Sequence, residues 1–122
     1  MHLPTRTIMN NQEFFDKTLA HLKQQGVRSA QGASCLYRGP DGTKCAIGFH
    51  IPDELYESEM EGKGVGNLLV HYPELKPLFE GVSDGLMIEL QGLHDNDLGT
   101  SYFEGWVEKI ANRYKLVYEE AS

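Results

Sequence analysis

The stretch of residues 35–48 constrains the fold most, because a strong turn signal lies inside an alternating pattern of side chains. Its Pro40-Asp41-Gly42 sequence predicts a type I turn followed by a left-handed glycine, which together make a three-residue hairpin loop. This loop places Tyr37 opposite Cys45. One face then carries Cys35, Tyr37, Cys45 and Ile47, and the other carries Arg38 and Lys44. Because a slip of one residue would mix these two sets, we predict this register, with both thiols facing the core.

Helical patterns flank the hairpin on both sides. Asn10 and Glu13 have the spacing of a capping box, and Gly26 predicts the end of the first helix. Residues 67–72 predict a short helix that stops before a proline, and Ser83 predicts the cap of a longer one. The small polar residues between the first helix and the hairpin predict a simple connection.

A last helix is predicted after Ser101 and Glu104, which have the spacing of a second capping box. Its apolar stripe is Phe103, Trp106, Val107, Ile110 and Tyr114. Helical spacing predicts that Phe103 and Trp106 belong to the core. The sequence therefore predicts an α+β fold: one mostly helical domain over residues 1–122, with about four helices, one β-hairpin around residues 35–47, and loose termini at 1–8 and 118–122.

Charge is divided unevenly along the chain. Residues 1–52 carry six basic and three acidic side chains, a net +3, whereas residues 53–122 carry five basic and fifteen acidic ones, a net −10. The total of −7 excludes a strongly basic nucleic-acid-binding protein. Five acidic residues fall within residues 53–61, and they predict either a solvated face or an acidic surface that steers a basic partner and repels nucleic acid.

The sequence also predicts a compartment. Residues 1–7 lack the pattern of a signal peptide, and the apolar runs are only a few residues long, as in Leu68-Leu69-Val70. Two cysteines without an export signal are expected to stay reduced. We therefore expect a cytoplasmic protein without a membrane partner. The sequence motifs also lead us to expect no cofactor.

Two groups of residues are candidates for chemistry. His94 and Asp95, at the end of a predicted helix, have the pairing of a general base and the carboxylate that orients it, or they simply suit a helix terminus. Cys35, Cys45 and His50 are candidate metal ligands, but their C-x9-C-x4-H spacing is unlike that of common zinc sites. Buried structural thiols are the competing interpretation.

Residues 62–67 form a glycine-rich loop that favours either anion binding or a flexible connection. A nucleotide-like ligand would need basic side chains, and the candidates are Arg38, Lys44 and Lys63. A protein partner would be steered by acidic side chains and anchored by exposed aromatic ones. The candidates for those roles are Glu54, Glu57, Glu61, Tyr56 and Tyr102.

Several segments together resemble a known group of proteins. The run C-L-Y-R-G-P-D-G-T-K-C-A-I-G, followed by I-P-D-E-L-Y, is similar to a segment of small uncharacterised proteins from bacteriophages, prophages and bacteria. The later L-Q-G-L-H-D run and a helix opening with Trp106 are also similar, so that the resemblance covers most of residues 12–115. Phe49 and His50 depart from the small or apolar residues expected after A-I-G. The resemblance implies a phage-type protein in a bacterial cytoplasm, without implying an activity.

Three functions are consistent with these features. The first is an accessory protein that acts by protein–protein interaction on a host component, for example as an inhibitor of an enzyme or a defence system. The second is a small hydrolase or nucleotide-processing enzyme that uses His94 and Asp95, with Tyr37 or His50 nearby. The third is a protein that sequesters a nucleotide-like ligand between subunits. The sequence leaves the oligomeric state open.

Overall fold

The computed structural model of the chain describes residues 9–32 and 34–119. These ranges contain four α-helices, two short strands and several 3₁₀ helices, of which the longest is Pro73–Phe79. The α-helices and strands are α1 (Asn11–Gln25), β1 (Ala30–Gln31), β2 (Ser34–Cys35), α2 (Val65–His71), α3 (Asp84–Asp97) and α4 (Phe103–Tyr114). The predicted fold class, α+β and mostly helical with a hairpin, is confirmed. Within the described ranges, every helix is too short or too polar to cross a membrane.

The first helix follows its local signals. The Glu13 amide donates to Asn10 Oδ1 over 2.8 Å, and the Asn10 amide donates to Glu13 Oε1 over 3.2 Å, which completes the capping box. Gly26, at φ 74°, supplies the left-handed residue that ends the helix. The predicted cap of α3 is also present, because Ser83 Oγ accepts a hydrogen bond from the Leu86 amide.

The hairpin has the predicted register but a different turn and extent. Arg38 pairs with Lys44 in a single antiparallel bridge, and the Gly39 amide donates to the Thr43 carbonyl over 2.9 Å. The two-stranded antiparallel sheet lies before this turn in the chain, between β1 and β2, where the sequence predicts only a connection. The predicted type I turn is wrong, since Asp41 (φ 59°) and the following glycine (φ 76°) are both left-handed, as in a type I′ turn. Aspartate tolerates this conformation, whose twist suits a hairpin.

The predicted capping box of α4 is wrong. Tyr102 precedes the helix with a helical backbone and provides no side-chain cap. Glu104 instead lies 3.3 Å from Lys23 Nζ and accepts a hydrogen bond from the Tyr118 hydroxyl. A charged partner and a phenol compete for the carboxylate more strongly than one exposed backbone amide does. Tyr118, expected in a loose terminus, also packs edge-on against Phe15; residues 1–8 and 120–122 lie outside the described part of the chain.

The core is built from the inward faces of all four helices and from the segment that follows the hairpin turn. Cys45 is buried there as predicted, whereas Cys35 is only half-buried. Trp106, predicted as core, is 42% exposed and lies under the Lys109 ammonium group. It misses the core because Phe103, Val107 and Ile110 define the buried stripe of α4, and position 106 falls at the edge of that stripe.

Candidate functional site

An apolar groove of about 760 Å³ opens between α2, the 3₁₀ helix Pro73–Phe79 and α3. Val70 on α2 is 69% exposed and Ile88 on α3 is 56% exposed, and both line the groove. Its deeper walls include Val65 and Phe79, which are buried. Exposed apolar side chains that meet at a concave surface are typical of an interaction site.

The positions of Val70 and Ile88 are not explained by the stability of the fold. α2 buries Val65 and Leu68, and the buried side chains of α3 are on a different face from Ile88. Val70 and Ile88 therefore add little to the core, and β-branched residues lower helix propensity. What sets these two side chains apart from other exposed apolar residues is that both line the same groove.

Acidic side chains border the groove. Two acidic residues, Glu80 and Asp84, line the groove. Among the described residues of the lining, Lys76 is the one basic residue. At the Pro73 end, burial and then repulsion from Glu57, Glu59 and Glu74 raise the pKa of the Tyr72 hydroxyl. The groove therefore combines apolar walls with a predominantly negative border.

The residues predicted to bind a partner do not all lie on a free surface. Glu54 and Glu57 are exposed, and so is Tyr102, which lies beside α4 and outside the groove. Glu61 instead accepts hydrogen bonds from the amides of Tyr37 (2.8 Å) and Arg38 (3.1 Å). Glu61 thus holds the hairpin in place, which makes it unsuitable for steering.

Tyr56 has a similar structural role. Its hydroxyl donates to Glu61 Oε2 over 2.5 Å, and the Arg38 guanidinium lies 4.9 Å from the centre of its ring. Burial and the Glu61 carboxylate raise the pKa of Tyr56 to about 12. Tyr56 therefore belongs to a cluster with Glu61 and Arg38, and it is not available as an isolated aromatic anchor.

The residues predicted to hold a nucleotide-like ligand do not converge. Arg38 donates to Asp53 Oδ1 over 2.6 Å and to the Ile51 carbonyl over 2.5 Å. Lys63 Nζ donates to the Glu59 carbonyl over 3.0 Å. Lys44 lines a different cleft, beside α1. Within the described ranges, these three basic residues therefore do not form a common phosphate site.

His94 and Asp95 are in contact, and the backbone amide of Ser29 determines which ring nitrogen of His94 carries the proton. His94 Nδ1 lies 2.8 Å from Asp95 Oδ1, and His94 Nε2 lies 2.9 Å from the backbone nitrogen of Ser29. Because an amide only donates, Nε2 is the acceptor and Nδ1 carries the proton. The ring is fully buried. Both nitrogens are therefore occupied, and neither offers a lone pair to a substrate.

The candidate metal ligands Cys35, Cys45 and His50 do not form a cluster among the described residues. His50 Nε2 lies 2.8 Å from Thr18 Oγ1, and Cys45 Sγ accepts a hydrogen bond from the Gly48 amide. The potential ligands that the described residues do bring within 4.8 Å of one another are Cys35, His94 and Asp95. The protonated Nδ1 of His94 does not fit a metal ligand in that cluster.

Cys35 also lacks the environment of a reactive thiol. Burial and then the Asp95 carboxylate raise the pKa of Cys35, although Arg28 opposes this effect. Reactive cysteines need the opposite shift, toward the thiolate. The carboxylate is engaged as well, since Asp95 Oδ1 accepts a hydrogen bond from Gln91 Nε2 over 3.0 Å. The cluster around Cys35 is therefore best explained as a structural hydrogen-bond network.

Replacing His94 by alanine is expected to lower the free energy of unfolding by about 3 kcal/mol, since it empties a buried site and leaves the Ser29 amide without an acceptor. Glutamine, whose side-chain oxygen can accept from that amide, should recover part of the loss. Urea unfolding of the two variants measures both effects. A His94→Ala variant as stable as the original chain would contradict the structural role.

No protein-family model matches the chain, and no curated protein or solved structure shows significant similarity to it. The candidate site therefore depends on the geometry of the groove and its border.

The groove was not predicted from the sequence, although one signal pointed to it. Leu68, Leu69 and Val70 are consecutive, and three consecutive residues of a helix span about 200° of its circumference. One of the three must then face away from the core. The facing wall carries the same signal, because Leu86, Met87 and Ile88 are also consecutive apolar residues, and Ile88 is the exposed one.

Proposed function

We propose that the protein acts by protein–protein interaction, with the groove between α2 and α3 as the docking site for a segment of its partner. The observation that carries this proposal is the exposure of Val70 and Ile88 on facing walls of one groove. The resemblance to phage-type proteins supports a host protein as the partner and the bacterial cytoplasm as the setting. Inhibition of that host protein is the outcome we propose.

The energy available from the groove is consistent with a specific but reversible complex. Burying an exposed Val or Ile side chain contributes roughly 1.5–3 kcal/mol, and about 1.4 kcal/mol changes an equilibrium constant tenfold. Because Ile88 is 56% exposed, covering it contributes about half of that range, which is worth about a fourfold to fifteenfold gain in affinity. A charged side chain at that position would remove this gain and would also have to be desolvated.

A designed peptide can take the place of the partner segment in a test of this proposal. The probe is a fluorescein-labelled helical peptide of about 15 residues, with leucines along one face and glutamines on the other. Ile88→Asp is expected to weaken its binding by at least about tenfold in fluorescence anisotropy. Val117→Asp is the matched control, because Val117 is 71% exposed outside the groove.

The control should bind the peptide as tightly as the original chain does. Equal affinities for the original chain, Ile88→Asp and Val117→Asp would show that the groove is not the docking site. The absence of any binding by the leucine-faced peptide would also contradict the proposal. Circular dichroism of each variant ensures that a loss of binding is not a loss of folding.

A further inference from the structure

We infer that the segment bound in the groove is a basic amphipathic α-helix of the partner protein. This inference rests on the proposed function and adds the conformation and the charge of the occupant. The conformation follows from the groove walls, and the charge follows from the groove border.

The walls of the groove favour a helical occupant. They are formed by α2, the 3₁₀ helix Pro73–Phe79 and α3, whose backbone groups mostly bond within their own elements. An extended segment would find no strand edge there and would bury backbone groups without partners. A helix satisfies its own backbone and presents apolar side chains three and four residues apart. The structure therefore matches helix-in-groove recognition and not strand addition.

The border of the groove favours positive charge on that helix. Glu80 and Asp84 line the groove, and Glu74 is exposed on the 3₁₀ helix that forms one wall. The carboxylates outnumber the single lysine of the lining. Lysine and arginine have long apolar stems, so such residues on a docked helix would cover Val70 and Ile88 while their charged ends reach the carboxylates.

Three peptides that differ only in the polar face test the inference. Each keeps the leucines of the fluorescein-labelled probe and carries lysine, glutamine or glutamate at the remaining positions. At about 0.01 M ionic strength the lysine peptide should bind about tenfold more tightly than the glutamine peptide, and the glutamate peptide should bind more weakly still. At about 1 M ionic strength the three affinities should converge.

A charge-removing variant and a matched control locate the effect. The double variant Glu74→Gln and Glu80→Gln should reduce the preference for the lysine peptide and leave the affinity for the glutamine peptide unchanged. Glu108→Gln removes one exposed carboxylate from α4, outside the groove, and should leave the preference intact. Equal preferences in the double variant and the original chain would overturn the assignment of charge recognition to this border.

The outcomes separate this inference from the proposed function. If the glutamine peptide binds in an Ile88-dependent manner and the lysine peptide binds no more tightly, the inference is wrong and the proposed function stands. If none of the peptides binds, or if Ile88→Asp leaves their affinities unchanged, the proposed function itself is wrong. A variant of the lysine peptide in which prolines at two central positions prevent helix formation should bind more weakly, and equally tight binding would overturn the helical occupant.

Discussion

Replacing Gly48 by alanine is expected to cost roughly 3 kcal/mol of unfolding free energy, or to prevent folding. An added Cβ would lie 2.8 Å from the carbonyl carbon of Tyr37 and 2.9 Å from its Cα, closer than carbon atoms pack. Backbone atoms cannot rotate away as a flexible side chain can. The segment after the hairpin turn would therefore have to move off residue 37.

Gly105→Ala is the matched control for this prediction. Gly105 lies within α4, and the space around an added Cβ is open. This substitution should raise the unfolding free energy by roughly 0.5–1 kcal/mol, since alanine is the better helix former. Urea unfolding compares the two variants. Similar stabilities for Gly48→Ala and Gly105→Ala would mean that the close approach of Gly48 to Tyr37 is not present in solution.

Acidification from about pH 7 to about pH 4 is expected to destabilise the fold by about 3 kcal/mol through His50. Burial, then repulsion from His21 and Lys17, lower the pKa of His50 to about 4 from 6.5. The ring packs against Phe14, Phe49 and Phe79. Because the unfolded chain takes up a proton first, stability is complete above pH 6.5 and falls as the pH approaches the folded-state pKa.

His50→Gln isolates this contribution, because glutamine does not titrate and its side chain can still bond to Thr18. The difference in unfolding free energy between the original chain and the variant should therefore change with pH. His21 remains in the variant, and burial lowers the pKa of His21 too; the part of its contribution that does not depend on His50 cancels in the difference. A difference that stays constant between about pH 7 and about pH 4 would contradict the burial of a neutral His50.

Features set by neighbouring residues were predictable from the sequence. The capping box of Asn10 and Glu13 and the cap at Ser83 depend on contacts across three residues, which sequence spacing reveals directly. The register of the hairpin was predictable for the same reason, because the loop residues and the alternating pattern agree on Arg38 opposite Lys44. The type I′ turn was missed because Asp41 is compatible with more than one turn.

Features set by distant residues were not predictable. Glu104 does not cap its helix and instead contacts Lys23 and Tyr118, which are not adjacent to it in sequence. The adjacent pair His94 and Asp95 was visible, but the Ser29 amide, 65 residues away, determines the proton position that makes the pair structural. Periodicity assigns a face of a helix to the core only on average. It could not reveal that α2 and α3 leave a groove between them.

We expect the partner helix to bind in this groove and not on the exposed aromatic face of α4. Amide chemical-shift mapping with the lysine-bearing peptide distinguishes the two surfaces most directly. The largest shifts should fall in α2, in Pro73–Phe79 and around Ile88 of α3, with small ones near Tyr102 and Trp106. Shifts concentrated at Tyr102 and Trp106, with α2 unaffected, would contradict docking in the groove and would assign binding to α4.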